Sequence, residues 1–293
     1  MLTKELEHQL IKTNGVTLHV VQAGPKDGPL AILLHGFPEF WYGWEKQIEA
    51  LTAAGYRIWM PDQRGYNLSE KPVRVEDYGL DKLAADVIGL IDAAGKEKVL
   101  LVGHDWGGAV AWWTATRYPE RLEKLVILNV PYPAILAKAA RSGNVNQLLK
   151  SWYIGFFQIP FLPETLIGLG NWNGAVTSLK NSSRPGTFSE TDLQQYRKAW
   201  SQPGAMKAMI NWYRAFVRAA PRFPARPRIT IPTLVIWGVK DVALGRELAQ
   251  PTIDLCDNGK LVFIEEASHW VQHEEPEKVN QLILDFWGAA NPI

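Results

Sequence analysis

The 293-residue chain is 47% hydrophobic and 21% charged, which excludes an intrinsically disordered protein and fits one large domain or a domain with an insertion. Thirty-one basic and 30 acidic residues leave a formal net charge of +1, so we expect no nucleic-acid-binding surface and no strongly anionic substrate. The single cysteine, Cys256, excludes an internal disulfide and fits a reducing compartment.

The sequence predicts neither a signal peptide nor a membrane-spanning segment. Charges at Lys4, Glu5 and Lys12 interrupt any apolar core of a signal peptide, so we expect a cytoplasmic protein. Residues 151–179 contain Glu164 as their only charge and are long enough to span a bilayer. Prolines and glycines interrupt this segment, so we expect it to be buried or to line a pocket and predict no stable membrane span.

Short apolar runs alternate along the chain with longer segments of helical periodicity. The predicted strands are residues 16–21, 30–34, 57–60, 99–102, 125–128, 233–237 and 261–264. The predicted helices are residues 44–53, 80–93, 107–118 and 277–287. Continuous apolar runs such as Leu-Ala-Ile-Leu-Leu are typical of strands that are buried on both faces. The alternation predicts an α/β fold with a mainly parallel central sheet flanked by helices.

The alternation stops after residue 130. Residues 131–227 contain no convincing buried strand and are aromatic, helix-like and broken by prolines, and the strand pattern resumes at Ile231. We therefore predict a core domain formed by residues 1–130 and 228–293, with a helical cap domain formed by residues 131–227. Residues 193–240 contain nine basic residues and no acid, a pattern more typical of a solvated face than of a phosphate or membrane contact.

The segment Gly103-His104-Asp105-Trp106-Gly107 directly follows a predicted buried strand and has the form of a nucleophile elbow. Its glycines allow a sharp turn that lifts the central side chain above the strand end, and that side chain belongs to Asp105 rather than to a serine. A carboxylate is ionised at neutral pH and can displace a leaving group from saturated carbon, which forms an ester that water must then hydrolyse. The alternative role for Asp105 is that of a helix N-cap.

Two further polar residues follow predicted strands. Asp241 lies in the loop after strand 233–237, and His269 lies after strand 261–264. Ligands of α/β sheets bind at the carboxyl ends of the strands, so both residues are expected at the same edge as Asp105. The order Asp105, Asp241, His269 is the nucleophile–acid–histidine order of such sites. In it, Asp241 orients His269, and His269 acts as the general base for water.

Hydrolysis of an ester on Asp105 also needs donors for the carbonyl oxygen of that ester. The segment His35-Gly36-Phe37-Pro38 directly follows strand 30–34. We predict that the backbone N–H groups of Phe37 and Trp106 form this oxyanion hole.

The remaining histidines receive other predicted roles. His8 and His19 precede the sheet core and are expected at the surface, whereas His35 and His104 are expected to orient the loop backbone. His273 follows His269 by four residues, a spacing that could bind metal on a helix. No H-E-x-x-H arrangement and no third evident ligand accompany it, so we predict neither a metal nor an organic cofactor.

Four strings carry a resemblance to a known family: His35-Gly-Phe-Pro-Glu-Phe-Trp-Tyr-Gly-Trp44, Asp62-Gln-Arg-Gly-Tyr-Asn-Leu-Ser-Glu-Lys-Pro72, the elbow, and Ser268-His-Trp-Val-Gln272. Through them the chain resembles the epoxide hydrolases of the α/β-hydrolase fold over nearly its whole length. The resemblance implies that fold, with a helical cap inserted after the sixth strand. It also implies a small hydrophobic epoxide and water as substrates, and we expect a monomer or homodimer.

The same resemblance assigns two tyrosines of the cap. Trp152-Tyr153-Ile-Gly-Phe-Phe-Gln158 and Asn211-Trp212-Tyr213-Arg214 resemble the family segments whose tyrosines hydrogen-bond the epoxide oxygen and protonate it as the ring opens. These roles would fall to Tyr153 and Tyr213. The alternative for each is an aromatic packing residue of an amphipathic helix.

Thirteen tryptophans are unusual for a chain of this length, and several lie close to the predicted functional positions. An apolar aromatic pocket suits an uncharged epoxide. The side chains predicted to contact substrate are those of Pro38, Trp106, Trp152, Trp212 and Trp270.

Two alternative functions stay open at this point. A haloalkane-type dehalogenase uses the same aspartyl ester and needs N–H donors for the halide, for which Trp106 and a cap tryptophan (Trp152, Trp172 or Trp212) are candidates. A non-catalytic receptor for small ligands is the alternative of a different class, because a fold alone does not establish catalysis. A serine esterase is disfavoured because Asp105 occupies the elbow.

Overall fold

A computed structural model of the protein describes residues 6–141, 150, 152–219 and 221–288. Its described residues form one eight-stranded sheet in the order β1-β2-β4-β3-β5-β6-β7-β8. The strands are β1 Glu7–Lys12, β2 Thr17–Ala23, β3 Leu30–Leu34, β4 Arg57–Pro61, β5 Val99–His104, β6 Leu122–Leu128, β7 Thr233–Gly238 and β8 Gly259–Ile264. β2 is antiparallel to β1 and to β4, and the other neighbouring strands are parallel. The predicted mainly parallel α/β sheet is therefore confirmed.

The central strands of the sheet are buried on both faces because they consist largely of apolar residues. In β3, Ile32 and Leu34 contribute to one hydrophobic core, while Ala31 and Leu33 contribute to a second core on the opposite face. Successive side chains of a strand point to opposite faces, so a continuous apolar run supplies both cores.

Helices cover these two faces. They are α1 Glu45–Ala53, α2 Leu80–Ala93, α3 Trp106–Arg117, α9 Ala249–Ile253, α10 Val271–Glu274 and α11 Pro276–Trp287, and the numbers α4 to α8 belong to the cap helices described below. Side chains of α2 and α3 belong to the same core as Ile32, whereas those of α1 and α11 belong to the core of Leu33. The four helices predicted from periodicity are all present, with bounds shifted by one residue at most.

Strand β1 and the environment of His19 depart from the sequence-based expectations. β1 has the sequence Glu-His-Gln-Leu-Ile-Lys and is mostly exposed, so it lacks the apolar pattern that identified the other strands. It pairs with β2 at the sheet edge, where backbone pairing suffices. His8 on β1 is exposed as expected. The surface prediction is wrong for His19, which is buried with its Nδ1 atom 2.6 Å from Oδ2 of Asp62.

The elements between β6 and β7 in the described residues are helices, and we call them the cap helices. They are α4 Pro133–Arg141, α5 Trp152–Phe156, α6 Leu162–Ser182, α7 Glu190–Trp200 and α8 Ala205–Arg218. α6 is broken between residues 169 and 172, where Gly170 and Asn171 adopt positive φ angles. The domain limits 131–227 stay a prediction.

Hydrogen bonds fasten the cap helices to loops at the carboxyl ends of the strands. Trp200 Nε1 donates to the carbonyl oxygen of Pro38 at 2.6 Å, and Trp212 Nε1 donates to that of Arg64 at 3.0 Å. The cap helices therefore cover the sheet edge that carries the predicted functional residues. None of the helices in the described ranges has the length and apolar character needed to cross a membrane.

Candidate active site

Asp105 occupies the turn between β5 and α3, with φ +50° and ψ −122°. This backbone conformation costs about 1–3 kcal/mol for a residue with a side chain, and such strain is often found at functional sites. Gly103 and Gly107, which flank this turn, have to be glycines for a steric reason. A Cβ atom on Gly107 would overlap the carbonyl oxygen of Leu34, and one on Gly103 would overlap that of Gly107. The local sequence thus permits the turn that raises the Asp105 carboxylate above the sheet edge.

The loop after β3 supplies a backbone donor to this carboxylate. The N–H of Phe37 donates to Oδ1 of Asp105 at 2.8 Å. Gly36 allows this close approach, because a Cβ atom there would overlap the Asp105 side chain. Trp106 is the first residue of α3, and N–H groups in the first turn of a helix have no acceptor within the helix. Of the two N–H groups predicted for an oxyanion hole, that of Phe37 therefore contacts the Asp105 carboxylate, and the oxyanion hole itself stays a prediction.

His269 lies between the two carboxylates. Its Nδ1 atom is 2.7 Å from Oδ2 of Asp241, and its Nε2 atom is 3.6 Å from Oδ2 of Asp105. Oδ1 of Asp241 accepts hydrogen bonds from the N–H groups of Ala243 at 2.7 Å and Leu244 at 2.8 Å. The three residues that the chain order singled out are thus in one contiguous arrangement, with the His269 ring held by Asp241.

Burial and charge act in opposite directions on the pKa values of His269 and Asp241. Burial alone lowers the pKa of His269, but the carboxylates of Asp241 and Asp105 outweigh it and raise that pKa well above the usual 6.5. Burial likewise raises the pKa of Asp241, but the charge and hydrogen bond of His269 outweigh it and leave that pKa below its usual value. The resting site therefore favours an imidazolium between two carboxylates.

Tyr153 on α5 and Tyr213 on α8 face Asp105 from the cap. Their ring centroids are 5.8 Å apart and the rings are nearly perpendicular. Burial raises the pKa of both phenols, and the negative charge of Asp105 raises it further. The Trp106 indole, whose ring packs edge-on against Tyr213 with centroids 5.0 Å apart, opposes this rise without cancelling it. Both phenols are therefore protonated at neutral pH and can donate hydrogen bonds.

Two cavities meet at Asp105, Tyr153 and Tyr213. The larger has a volume of about 300 Å³ and an apolar, aromatic wall that includes Phe37, Pro38, Trp152, Phe157, Leu179, Met206 and Trp270. The smaller has a volume of about 40 Å³ and is lined by Trp106, Ala109, Val130, Leu136, Ile154, Phe216 and Leu244, among others. His269 borders the larger cavity. A ligand can therefore contact the carboxylate, the base and both phenols at once.

Four of the five predicted substrate contacts line these cavities. Pro38, Trp152 and Trp270 border the larger cavity, and Trp106 borders the smaller one. The prediction is wrong for Trp212, which lines neither. Its indole is fully buried and donates to the carbonyl oxygen of Arg64, because this side of α8 faces the loop after β4. Adjacent positions on a helix point in different directions, so only Tyr213 of the pair faces the cavities.

Comparisons with known proteins assign the chain to a family. The alpha/beta hydrolase fold family matches residues 29–276. The AB hydrolase superfamily protein YfhM of Bacillus subtilis is 49% identical, with 95% of this chain and 96% of that protein covered. Epoxide hydrolase 1 of Caenorhabditis elegans is 38% identical, with 96% of this chain and 70% of that protein covered. The chain belongs to the epoxide hydrolases of the α/β hydrolase family.

The structure of this α/β hydrolase agrees with that assignment. It is similar to the crystal structure of the Bacillus megaterium epoxide hydrolase in complex with an inhibitor, with a TM-score of 0.86 and 32% sequence identity. The match covers 95% of this chain and 99% of that one. The fold predicted from the resemblance, an α/β-hydrolase fold, is confirmed.

Sequence reasoning missed Asn129, which positions the acid of the site in this α/β hydrolase. Asn129 directly follows β6 and has φ +47°. Its Nδ2 donates to Oδ2 of Asp241 at 2.8 Å, and its Oδ1 accepts from the N–H of Gly238 at 2.8 Å. An asparagine tolerates this backbone conformation better than most residues. An asparagine at a strand end was the available signal, but its partner lies more than 100 residues away in the sequence.

Glu39 is the second residue that sequence reasoning missed. It is fully buried, and Oε1 lies 2.6 Å from Nε2 of His273 and 2.7 Å from the hydroxyl of Tyr196. Oε2 lies 3.1 Å from Nδ1 of His104 and 3.2 Å from Nε2 of Gln272. His273 thus faces a carboxylate partner. Among the described residues, no group of three or more histidine, cysteine, aspartate or glutamate side chains is arranged to hold a metal ion.

Proposed function

We propose that this protein hydrolyses epoxides to vicinal diols through a covalent ester on Asp105. One observation carries the proposal: a carboxylate occupies the nucleophile elbow, and two protonated phenols, Tyr153 and Tyr213, face it across a largely apolar cavity. A carboxylate attacks saturated carbon without prior deprotonation, and the phenols supply the hydrogen bonds that the departing oxygen needs. Relatives named epoxide hydrolases support the same activity.

In the first step, a carboxylate oxygen of Asp105 bonds to one carbon of the epoxide ring, and the bond from that carbon to the ring oxygen breaks. The electron pair stays on the oxygen, which takes a proton from one of the phenols while the other donates a hydrogen bond. The product is a hydroxyalkyl ester of Asp105 and one tyrosinate. Both donors are already in position before the reaction begins. No solvent therefore has to reorganise, which lowers the barrier.

In the second step, a proton passes from the His269 imidazolium to the tyrosinate and restores the phenol. The neutral His269 then removes a proton from water, and the hydroxide attacks the ester carbonyl carbon of Asp105. The N–H groups of Phe37 and Trp106 would stabilise the resulting oxyanion. The intermediate collapses, the diol oxygen receives a proton from His269, and the new carboxylic acid of Asp105 returns a proton to His269. His269 is suited to this step because the ester removes the Asp105 charge, and that charge helps to raise the pKa of His269 in the resting enzyme.

The proposal is tested by intact-mass measurement of His269→Phe after incubation with an epoxide. The ester should persist in this variant because its hydrolysis has lost the base, and the protein mass should rise by that of the epoxide. Asp105→Asn is the matched control and should show no adduct and no diol formation. Absence of an adduct with every epoxide tested, together with unchanged diol formation by Asp105→Asn, would contradict the proposal.

The two cavities support a substrate whose epoxide carries substituents of unequal size. A cavity of about 40 Å³ holds roughly three atoms the size of water, whereas the larger cavity of about 300 Å³ has room for an aromatic or long alkyl group. We expect the rate to fall when the shorter substituent grows beyond a propyl group. Phe216→Ala, which enlarges the smaller cavity, should restore activity toward such epoxides, and Leu179→Ala in the larger cavity should not.

Contacts of the tryptophans favour epoxide hydrolysis over dehalogenation. A departing halide needs free N–H donors, but two of the three candidate tryptophans of the cap already donate to other groups. The indole of Trp212 donates to Arg64, and that of Trp172 donates to Ser201 at 2.6 Å. A matched pair of an epoxide and an alkyl halide separates the two activities, and we expect diol formation without halide release. The proposed cap domain, residues 131–227, would supply the two phenols.

A further inference from the structure

Arg214 directly follows Tyr213 on α8, and its guanidinium is buried against the chain that follows Tyr153. The side chain is 6% exposed. Nε donates to the carbonyl oxygen of Phe157 at 3.0 Å, and Nη2 donates to that of Ile159 at 2.8 Å. These two carbonyl groups belong to the turn at the end of α5, which carries Tyr153. Arg214 therefore connects the helix of one candidate phenol to that of the other.

Glu164 completes this connection. Its Oε1 and Oε2 atoms lie 2.6 Å and 3.2 Å from Nη1 and Nη2 of Arg214. Glu164 is the only charged residue of the apolar segment 151–179. A planar guanidinium that binds a carboxylate with two nitrogens is held in one orientation, which a lysine ammonium cannot reproduce. The pair thus neutralises a buried charge and orients the donors to Phe157 and Ile159.

A reciprocal contact runs in the other direction. Nε2 of Gln158, in the same turn, donates to the carbonyl oxygen of Tyr213 at 3.3 Å and to that of Ile154 at 3.2 Å. The Phe157 ring packs against Tyr213 with centroids 4.8 Å apart. The two tyrosine-bearing segments are therefore joined by polar contacts on one side and by ring packing on the other.

We propose that Arg214 is a positioning residue that sets the separation of the Tyr153 and Tyr213 hydroxyls. This inference rests on the proposed function, in which both phenols must reach one epoxide oxygen. Donors of this kind act only when held within about 0.5 Å of the productive geometry. Tyr153 stands on the short helix α5, and the contacts of Arg214 tie the end of that helix to α8, which carries Tyr213.

The two steps of the reaction separate this role from a general effect on folding. The phenols act during ester formation, whereas His269 and Asp241 act during ester hydrolysis and lie on loops after β8 and β7. Loss of the Arg214 contacts should therefore slow ester formation and leave ester hydrolysis unchanged. A merely structural role would affect both steps or neither.

The experiment is a single-turnover reaction with enzyme in excess over a terminal aryl epoxide, quenched at intervals and analysed by intact mass. Appearance and decay of the ester give the two rates separately. Arg214→Lys should slow ester formation by about 10- to 100-fold, since a displacement near 1 Å has effects of that size. Ester decay should stay within about twofold of the wild-type rate. Glu164→Gln keeps the arginine and should slow ester formation by a smaller factor. This variant replaces Arg214→Lys as the test if Arg214→Lys does not fold.

Arg57→Lys is the matched control. Arg57 is also buried, with Nη1 2.8 Å from Oε1 of Glu7 and Nη2 2.6 Å from Oε1 of Gln22. It lies at the start of β4, at the end of the strand opposite to the site. The same chemical change there should alter neither rate.

A double variant tests whether Arg214 acts through the phenols. In a Tyr153→Phe background, Arg214→Lys should slow ester formation by less than about threefold, because residues acting through one group are not additive. Three results would each overturn the inference. They are full multiplication of the two losses in the double variant, equal loss in both steps, and unchanged ester formation in folded Arg214→Lys and Glu164→Gln. The wild-type reaction reports on the proposed function independently. Absence of any ester there would overturn both proposals, whereas a normal wild-type ester with unaffected variants overturns only this one.

Discussion

Nε2 of His104 lies 2.8 Å from the carbonyl oxygen of His269, so the residue before the candidate nucleophile hydrogen-bonds the backbone of the candidate base. Nδ1 of the same ring faces Glu39, which also contacts His273 and, on cap helix α7, Tyr196. The buried carboxylate of Glu39 thus connects the elbow, the helix α10 that carries His273, and the cap helix α7. The positions of these three elements relative to one another depend on it.

Glu39→Gln should lower the free energy of unfolding by about 3 kcal/mol at pH 7, because loss of one partner leaves a buried polar network unsatisfied. Burial alone raises the pKa of Glu39, but the charges and hydrogen bonds of His273 and His104 outweigh it and hold the pKa well below its usual 4.5. A depressed carboxyl pKa stabilises the fold above pH 4.5, and this contribution is lost as the pH falls toward the folded-state pKa.

Chemical denaturation at pH 7 and below pH 4.5 measures this contribution. The difference between wild type and Glu39→Gln should shrink in acid. The control is Glu265→Gln, whose exposed carboxylate lies 3.6 Å from Arg246 and should contribute less than about 1 kcal/mol. A difference that stays constant with pH would show that Glu39 is not ionised in the folded protein.

Asp105→Asn should lower the pKa of His269. The variant removes one of the two carboxylates that raise this pKa and keeps Asp241 as the partner of Nδ1. A raised histidine pKa stabilises the fold below pH 6.5, and that contribution is lost as the pH rises through the folded-state pKa. Nuclear magnetic resonance titration of the imidazole measures the change. Asp92→Asn, at the exposed ion pair with Arg121, should leave the His269 titration unchanged. An unaltered titration in Asp105→Asn would contradict the charge coupling of His269 and Asp105.

Tyr153→Phe and Tyr213→Phe should each slow ester formation by about 10²- to 10³-fold, as removal of one preorganised donor does elsewhere. Because burial and the Asp105 charge raise both phenol pKa values, ester formation should not decline through ionisation of these tyrosines up to about pH 10. Rapid-quench measurements across this pH range test both points. Tyr132→Phe is the control, since Tyr132 is buried and hydrogen-bonds Thr116 away from the site. Loss of similar size in Tyr132→Phe would point to packing as the cause.

Gly107→Ala should lower the free energy of unfolding by about 3 kcal/mol, at the upper end of the usual cost of overpacking. The added methyl group would overlap the backbone of Leu34, which cannot move without disturbing β3. Gly155→Ala meets no atom within 4 Å and should leave stability unchanged or slightly higher. Thermal unfolding of both variants tests the steric argument, and equal stability of the two would contradict it.

The sequence predicted those parts of the molecule whose signal is local. Continuous apolar runs identified β3 and the other buried strands, and glycine spacing identified the elbow at Asp105. Strand ends located Asp241 and His269, because parallel strands bring their carboxyl ends to one edge of a sheet. β1 escaped detection because an exposed edge strand needs no apolar pattern.

Only the tertiary structure decided which side chains of the cap face the cavities and which face the core. Tyr213 and Trp212 are neighbours on an amphipathic helix, yet one lines the cavities and the other donates to Arg64. Helical periodicity alone does not specify what each face contacts. The hydrogen-bond partners of Glu39, Asn129 and Arg214 lie tens to hundreds of residues away in the sequence. Contacts at such distances leave no pattern in a single sequence. Local chemistry was therefore readable in advance, whereas the long-range polar contacts that orient it required the folded chain.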